Sequence, residues 1–460
     1  MDIHQYRPAC MKLLLLFAIF VLSGCATFSK DGGLSDVQSL TKQHLPQQVV
    51  WPKTESEQQS VSERVSELLQ TELDVEAAVQ LALLNNKGLQ RDLYALGISE
   101  ADMVQAGRLP NPRFSMLYAR NNGDYKIEQA LTFNIFSLLT MPKMLEIQRL
   151  NFEQTKQQVA LRVLQHAFQT RQAYLNAVTA NQQYDYSQQV KTSAEAGFEL
   201  AQRMVKAGNW NQLELARERG FYAEAVLDVV HAEQQKIAAY EALARQLGLE
   251  SQQFKLQTRL PDLPSSLQDD QTFSQQAISE RQDLQAARLH VENKAKQLGL
   301  TKMTRLINVL EIGPARVLEG ARSEPYKKGV EVAFELPLFD WGSARVARAE
   351  AQYMQTLNEA ALIANNAQSE IREAYGRYQT SYTLAKQYRD EIVPLRKKIL
   401  DEKLLRYNGM LTSPFELFAD ARAQVSGVKN YIEKLNAFWL AETRLQMTRI
   451  GNLSVQAESE

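Results

Sequence analysis

Gly329-Val330-Glu331-Val332-Ala333-Phe334-Glu335-Leu336-Pro337-Leu338 is the stretch on which the fold turns. Val330, Val332, Phe334 and Leu336 alternate with Glu331, Ala333 and Glu335, the period of two that gives a strand one oily and one wet face. Pro337 ends that strand, because it has no N–H for a ladder. Beyond Gly342 the chain reads as a long helix to Tyr407, a break at Asn408-Gly409, and a return helix from Pro414 to Arg449. Leu306 to Ile312 is a second extended candidate just before this stretch.

The same order occurs about 200 residues earlier, and a fixed offset of this kind is the mark of an internal repeat. Phe114 to Ala119 and Ile127 to Phe136 flank the loop Arg120-Asn121-Asn122-Gly123-Asp124, a hairpin signal. Ile127, Gln129, Leu131, Phe133 and Ile135 share one face, and Glu128, Ala130, Thr132 and Asn134 the other. Lys143 to Lys206 contains no proline, so one helix of about 64 residues and roughly 95 Å is expected there. Ala207-Gly208-Asn209 closes it, and a return helix follows from Gln212 to Leu247. Ahead of each strand pair stands a helical segment: Leu73 to Ala106, stopped by Gly107-Arg108-Leu109-Pro110-Asn111-Pro112, and its partner around Ala277 to Gln285, which matches Ala82 to Gln90 in pattern.

The expected organisation is a leader at 1–24, a polar tether with little core at 25–70, a first repeat at 71–258, a linker at 259–268, a second repeat at 269–450 and a polar tail at 451–460. In the second long helix Leu357, Ala361, Ala364, Gln368, Ile371, Tyr375, Tyr378, Tyr382 and Ala385 alternate in steps of four and three, a heptad seam. Val163, Ala167, Thr170, Tyr174 and Ala177 keep the same spacing in the first.

Composition agrees with a mostly helical chain. The 460 residues include only 20 Gly and 13 Pro, with 45% apolar and 23% charged side chains. The 52 basic and 53 acidic residues nearly cancel, which argues against a nucleic-acid partner. The two cysteines, Cys10 and Cys25, leave no disulfide or thiol chemistry for the main body. No phosphate loop, His-Glu-x-x-His helix or serine elbow occurs, and the five histidines are scattered singly, so neither an enzyme nor a cofactor or metal site is expected.

Arg7 and Lys12 precede the apolar run Leu13 to Leu22, the order of a secretory signal and too short to span a bilayer. Either Met1 or Met11 can begin it. Leu22-Ser23-Gly24-Cys25 resembles the lipobox of bacterial lipoproteins, and that resemblance implies cleavage before Cys25 and acylation of it. Ala26, in the same resemblance, implies an outer-membrane address.

About four strands with one oily face cannot close a barrel alone, and open edges in lipid leave backbone groups unsatisfied. Three copies would supply about twelve strands, within the range of membrane barrels. Taken in order, the leader ending at Cys25, the break at Gly107 to Pro112, Leu336-Pro337-Leu338-Phe339-Asp340-Trp341-Gly342 and the tip segment Arg406-Tyr407-Asn408-Gly409 with Phe415-Glu416-Leu417-Phe418-Ala419-Asp420-Ala421 resemble the TolC-type outer-membrane efflux channels, particularly their lipoprotein members.

The resemblance covers nearly all of residues 73 to 450. It implies a mainly α fold with a small membrane β-barrel portion, an α-helical tunnel of long coiled helices, and four strands per chain completing a trimeric barrel. The implied partners are two further copies, outer-membrane lipid, a periplasmic adaptor docking at Gly208, Asn209, Asn408 and Gly409, and an inner-membrane transporter. The implied periplasmic gate is Arg406, Tyr407, Glu416 and Asp420, with the two acids four apart where family members have three. Arg203 and Lys206 are the approximate counterparts of Arg406 and Tyr407 in the first half. Glu128, Glu331 and Glu335 are expected to face the barrel lumen. The rival reading is a periplasmic adaptor lipoprotein, which has a leader and a helical hairpin but usually only one hairpin. The cargo, whether drug, metal ion or peptide, is not readable from a passive duct.

Overall fold

A computed structural model describes residues 27–250, 254–267, 278 and 281–451. The leader with Cys25, residue 268 of the linker, residues 269–277 and the tail from 452 lie outside the described residues. In chain order the elements are α1 (Leu34–Lys42), α2 (Glu55–Leu69), β1 (Glu72–Leu73), α3 (Val75–Asn85), α4 (Lys87–Ala106), β2 (Arg113–Asn121), β3 (Asp124–Asn134), α5 (Ile135–Lys206) and α6 (Gln212–Leu247). Then come β4 (Lys255–Leu256), α7 (Gln282–Met303), β5 (Leu310–Gly320), β6 (Lys327–Phe334), α8 (Ser343–Gln387), a π turn (Tyr388–Ile392), α9 (Val393–Asn408) and α10 (Pro414–Ile450). They fall into two compact units.

The first unit takes the chain up to Val37, Leu93–Val159 and Leu284–Ile363. Its centre is an antiparallel sheet in the order β2-β3-β5-β6. Asn122 and Gly123, with φ of +47° and +99°, make the two-residue turn between β2 and β3, the turn whose twist suits a tight hairpin. Asn134 converts strand to helix: its Oδ1 accepts the Ser137 N–H at 2.7 Å, so Ile135 opens α5 and does not continue β3. Pro142 lies in the second turn of that helix. β5 begins at Leu310, later than Leu306, and β6 stops at Phe334, ahead of Glu335 and Leu336. The early stop has a local cause: the Leu338 N–H donates to the Leu336 carbonyl at 2.8 Å, a tight turn around Pro337.

The expected tether is ordered from Thr27 and contributes to packing. In the first unit the Ser29 N–H donates to Glu100 Oε1 at 2.6 Å, and Lys156 on α5 lies 2.6 Å from Asp36. Gly33 (φ +82°) lies against Phe152, where a Cβ would stand 2.8 Å from Cζ. Leu45, Val49 and Trp51 are buried in the second unit. A short polar segment conceals such anchors because each is a single apolar residue without a period.

The second unit holds Gln38–Asp92, Ala160–Asp283 and residues from Ala364 on. Its core gathers Leu73, Leu81, Tyr174, Leu243, Leu247, Tyr378, Tyr382, Phe438 and Leu445 around the parallel pair β1 and β4. Apolar burial at roughly 25 cal/mol per Å2 is its main stabilisation. Val163, Ala167, Thr170, Tyr174 and Ala177 are all buried along α5. On α8 the buried line runs Ile371, Ala374, Tyr378, Tyr382 and Ala385. Towards its start, Leu357, Ala361, Ala364 and Gln368 are exposed, and Thr356, Ile363 and Ala367 are buried in their place.

Candidate functional site

Two hairpin ends come together in the second unit. α5 ends through Gly208 (φ +76°), with the Asn209 N–H bonded to the Met204 carbonyl at 2.9 Å, the left-handed C-cap that glycine makes cheaply. Asn211 then caps α6, and Glu214 returns to the Asn211 N–H in a capping box. At the other end the left-handed residue is Met410 (φ +58°), and Gly409 stays at φ −84°. Met410 and Leu411 are almost fully exposed there. Ser413 caps α10 by accepting the Glu416 N–H.

The expected gate residues divide. Glu416 is tied inside its own hairpin, with Oε2 2.5 Å from Lys403 Nζ and 2.6 Å from Thr412 Oγ1. The Lys403 ammonium and the Thr412 hydroxyl hold its carboxyl below the usual range, so it is ionised near neutrality. Arg406 bonds Glu402, one turn earlier on α9, at 3.2 Å. Arg203 lies 3.6 Å from Glu199 in the same way on α5. Asp420 is partly exposed one turn after Glu416, and Tyr407 is partly buried.

Contacts that the sequence reading did not foresee join the two hairpins. Phe418 sets its ring against Gly197, where a Cβ would be 3.4 Å from Cε1, and meets Trp210 edge-on at 6.1 Å. The Arg217 guanidinium lies 4.8 Å from the Phe415 ring centre. Arg422 reaches Glu218 and also lies over the Phe221 ring at 5.3 Å. Gly197, the sole glycine in its long helix, was the one available signal.

In the first unit the sheet register sorts side chains by face, since directly opposed residues point the same way. Phe114 opposes Leu131, Phe133 opposes Ile312, and Ile312 opposes Val332. All five are exposed, as are Val330 and Phe334 beside them. The opposite face carries Glu128, across from Val317, and Glu331, across from Gly313. Thr132 Oγ1 and Arg113 Nη1 both reach Glu311 Oε2 on that face, at 3.2 and 3.4 Å. Glu335 lies one residue past β6 and is exposed. Among the described residues no helix is long and apolar enough to cross a membrane, and no group of three or more His, Cys, Asp or Glu converges as a metal site.

No family model and no curated sequence matches this chain. Solved structures do. The Campylobacter jejuni CmeC outer membrane channel superposes with a TM-score of 0.69 at 15% identity, over 92% of this chain and 92% of that one. A CusC structure, described in terms of folding and transmembrane channel formation, gives 0.68 at 17% identity over 83% and 93%. The open state of the Neisseria gonorrhoeae MtrE outer membrane channel gives 0.66 at 14% identity over 84% and 89%. The fold is that of the TolC-type outer-membrane channels, as the sequence resemblance implied.

Proposed function

We propose that three copies of this chain form a passive outer-membrane efflux channel, opened at its hairpin ends by a periplasmic adaptor and an inner-membrane transporter. One observation carries the reading: a four-stranded sheet with two free edges, β2 and β6, and an exposed apolar face bearing Phe114, Leu131, Phe133, Val330, Val332 and Phe334. Such a sheet is stable in lipid only if its edges pair with other copies. Twelve strands would then surround a lumen lined by Glu128, Glu331 and the Glu311–Arg113 pair, with Glu335 at its rim.

In this reading the chain is an internal duplication with the boundaries set out above, and the exposed Leu357, Ala361, Ala364 and Gln368 meet a neighbouring copy. Cys25 is acylated and holds the mature N-terminus to the membrane. Gly208, Asn209, Asn408 and Gly409 mark the ends that dock the adaptor. Arg406, Tyr407, Glu416 and Asp420 narrow the periplasmic end, and no catalysis is required of any residue. The fold shared with outer-membrane channels supports this reading, as does the ionised Glu416 at the second hairpin end.

The deciding experiment is purification in mild detergent followed by planar-bilayer recording. A heat-modifiable, trimer-sized band and ion conductance are expected, and a water-soluble monomer without conductance overturns the reading. Mass spectrometry of the mature N-terminus tests acylation of Cys25, and replacing Arg406 by Ser with Tyr407 by Phe should raise single-channel conductance.

A further inference from the structure

The sheet of the first unit separates its charges by face. Because opposed residues share a face, the register assigns Asp124, Glu128, Glu311, Glu319 and Glu331 to one side, the side away from the apolar band. Both ion pairs within the sheet, Arg113–Glu311 and Lys126–Glu128, lie there as well. The apolar side of the four strands has no acid. It has three exposed cations, Arg120, Arg316 and Lys328, and among the described residues none of them pairs with a carboxylate.

These cations stand away from the helices. α4, α5, α7 and α8 adjoin the sheet near Arg113, Asn134, Leu310 and Phe334, and the loops 122–123 and 321–326 lie at the other end. From the helix end, Phe133, Ile312 and Val332 come first, then Leu131 and Val330, and then Arg316, directly opposed by Gln129 and Lys328. Arg120 stands beside the tight turn, opposed by Tyr125. Tyrosine rings hold both guanidinium groups without neutralising them. Arg120 lies 5.3 Å from the ring centre of Tyr125, which is 6.2 Å from that of Tyr118, and Arg316 lies 4.9 Å from that of Tyr326. Arg316 Nε also donates to Gln129 Oε1 at 2.6 Å.

A cation on the lipid side of a barrel is costly at mid-bilayer and nearly free at the interface, and tyrosine settles at that same level. The basic and tyrosine-rich end of the apolar face therefore belongs among headgroups. Its unpaired guanidinium and ammonium groups call for an anion there, and the forked donors of arginine match phosphate oxygens best. The cations also form two separate groups. Arg120, opposite Tyr125, and Arg316 with Lys328, level with Gln129, are four residues of β3 apart, about 13 Å along the strand. A lipid with two phosphates at the ends of a sugar headgroup can serve both groups, whereas a diester phospholipid brings only one phosphate.

We propose that Arg120, Arg316 and Lys328, framed by Tyr118, Tyr125 and Tyr326, form a docking surface on the lipid side of the sheet for the phosphates of a bisphosphorylated glycolipid of the lipid A class. The proposal rests on the channel reading: the helices then lie in the periplasm, the loop end of the sheet lies outside, and the headgroups it meets are those of the outer leaflet. Docking there neutralises the three cations that the protein itself leaves unpaired. It also fixes the depth of the sheet, because the apolar band from Val330 to Phe334 is then held below the headgroups.

The test is native mass spectrometry of the full-length, detergent-extracted protein titrated with bisphosphorylated lipid A, with the same lipid stripped of both phosphates, and with phosphatidylglycerol. The bisphosphorylated form should bind and the other two should bind far more weakly. Arg120→Gln, Arg316→Gln and Lys328→Gln together should weaken its binding roughly a hundredfold, about fivefold for each cation removed from an anionic lipid surface. Lys126→Gln with Lys327→Gln takes two cations from the opposite face and should leave the affinity unchanged. A triple variant that binds like wild type, a control pair that loses as much, or equal binding of either comparison lipid overturns the proposal. If the triple variant does not assemble, the wild-type comparison of phosphorylated with dephosphorylated lipid decides. A wild-type protein that conducts in planar bilayers without preferring the phosphorylated lipid refutes the docking surface alone, and one that never conducts refutes the channel reading.

Discussion

Arg422 of α10 and Glu218 of α6 meet across 204 residues of sequence, with Nη1 3.1 Å from Oε1. The carboxylate side chain is only 3% exposed, so the guanidinium stands where water would otherwise solvate it. Removing one partner of a buried pair leaves an uncompensated charge. Arg422→Met should therefore destabilise the hairpin contact by about 3 kcal/mol, the low end of the buried-pair range because the arginine keeps some solvent. Glu218→Gln together with Arg422→Met should recover part of that loss. A double-mutant cycle on the thermal midpoint in detergent measures the coupling, and additivity of the two changes would remove the pair from any role in holding the hairpins.

The strands were readable because their faces alternate over a wet and an oily side, as at Leu131 to Asn134. The hairpin turn was readable from Asn122-Gly123, which tolerate positive φ. The strand-to-helix junctions were not, because Phe133, Ile135 and Phe136 continue the apolar run through Asn134, and only the Asn134 cap with Ser137 marks the change. The π turn was hidden for a similar reason: Pro394 sits among good helix formers, so the run from Gly342 to Tyr407 looked unbroken. At the first hairpin end the break at Gly208 was local and legible, whereas at the second the left-handed residue is Met410 and not the expected glycine. The contacts Arg422–Glu218 and Phe418–Gly197 join positions about 200 residues apart, and no local period announces them.

Glu442 gives a pH signature. Burial pushes its carboxyl above the ordinary value of 4.5, while Arg171 and Gln446 pull it back less strongly. An acid whose folded pKa is raised binds its proton more tightly when folded, so stability falls as pH rises from 4.5 through the raised pKa, and the penalty is complete above it. Glu442→Gln should raise the thermal midpoint at neutral pH and leave it unchanged below 4.5. A difference between variant and wild type that is independent of pH would contradict the assignment.

Gly313 sits where β5 passes β3 too closely for any side chain: a Cβ would lie 1.9 Å from the Leu131 carbonyl oxygen. Gly313→Ala must push the two strands apart or break their ladder. On the proposed trimeric reading, the expected result is loss of the heat-modifiable, trimer-sized species with helical circular dichroism largely kept, because the strain falls in the sheet. A variant that assembles as well as wild type would show that β3 and β5 do not pair in this register.

The two sheet faces make opposite predictions, and the contrast tests which one meets lipid. Val332 is exposed on the face shared with Ile312 and Phe133, and Glu331 points the other way. A cation placed on a lipid-facing barrel position costs about 2 to 4 kcal/mol at mid-bilayer, and a lumen position carries no such penalty. Val332→Arg should therefore reduce the protein recovered in the outer-membrane fraction and its trimer band. On the proposed channel reading, Glu331→Gln should leave both intact and alter only the ion selectivity of the pore, since it removes charge from the proposed lumen. If Val332→Arg assembles normally and Glu331→Gln does not, the sheet faces the membrane with its acidic side and the proposed lumen is inverted.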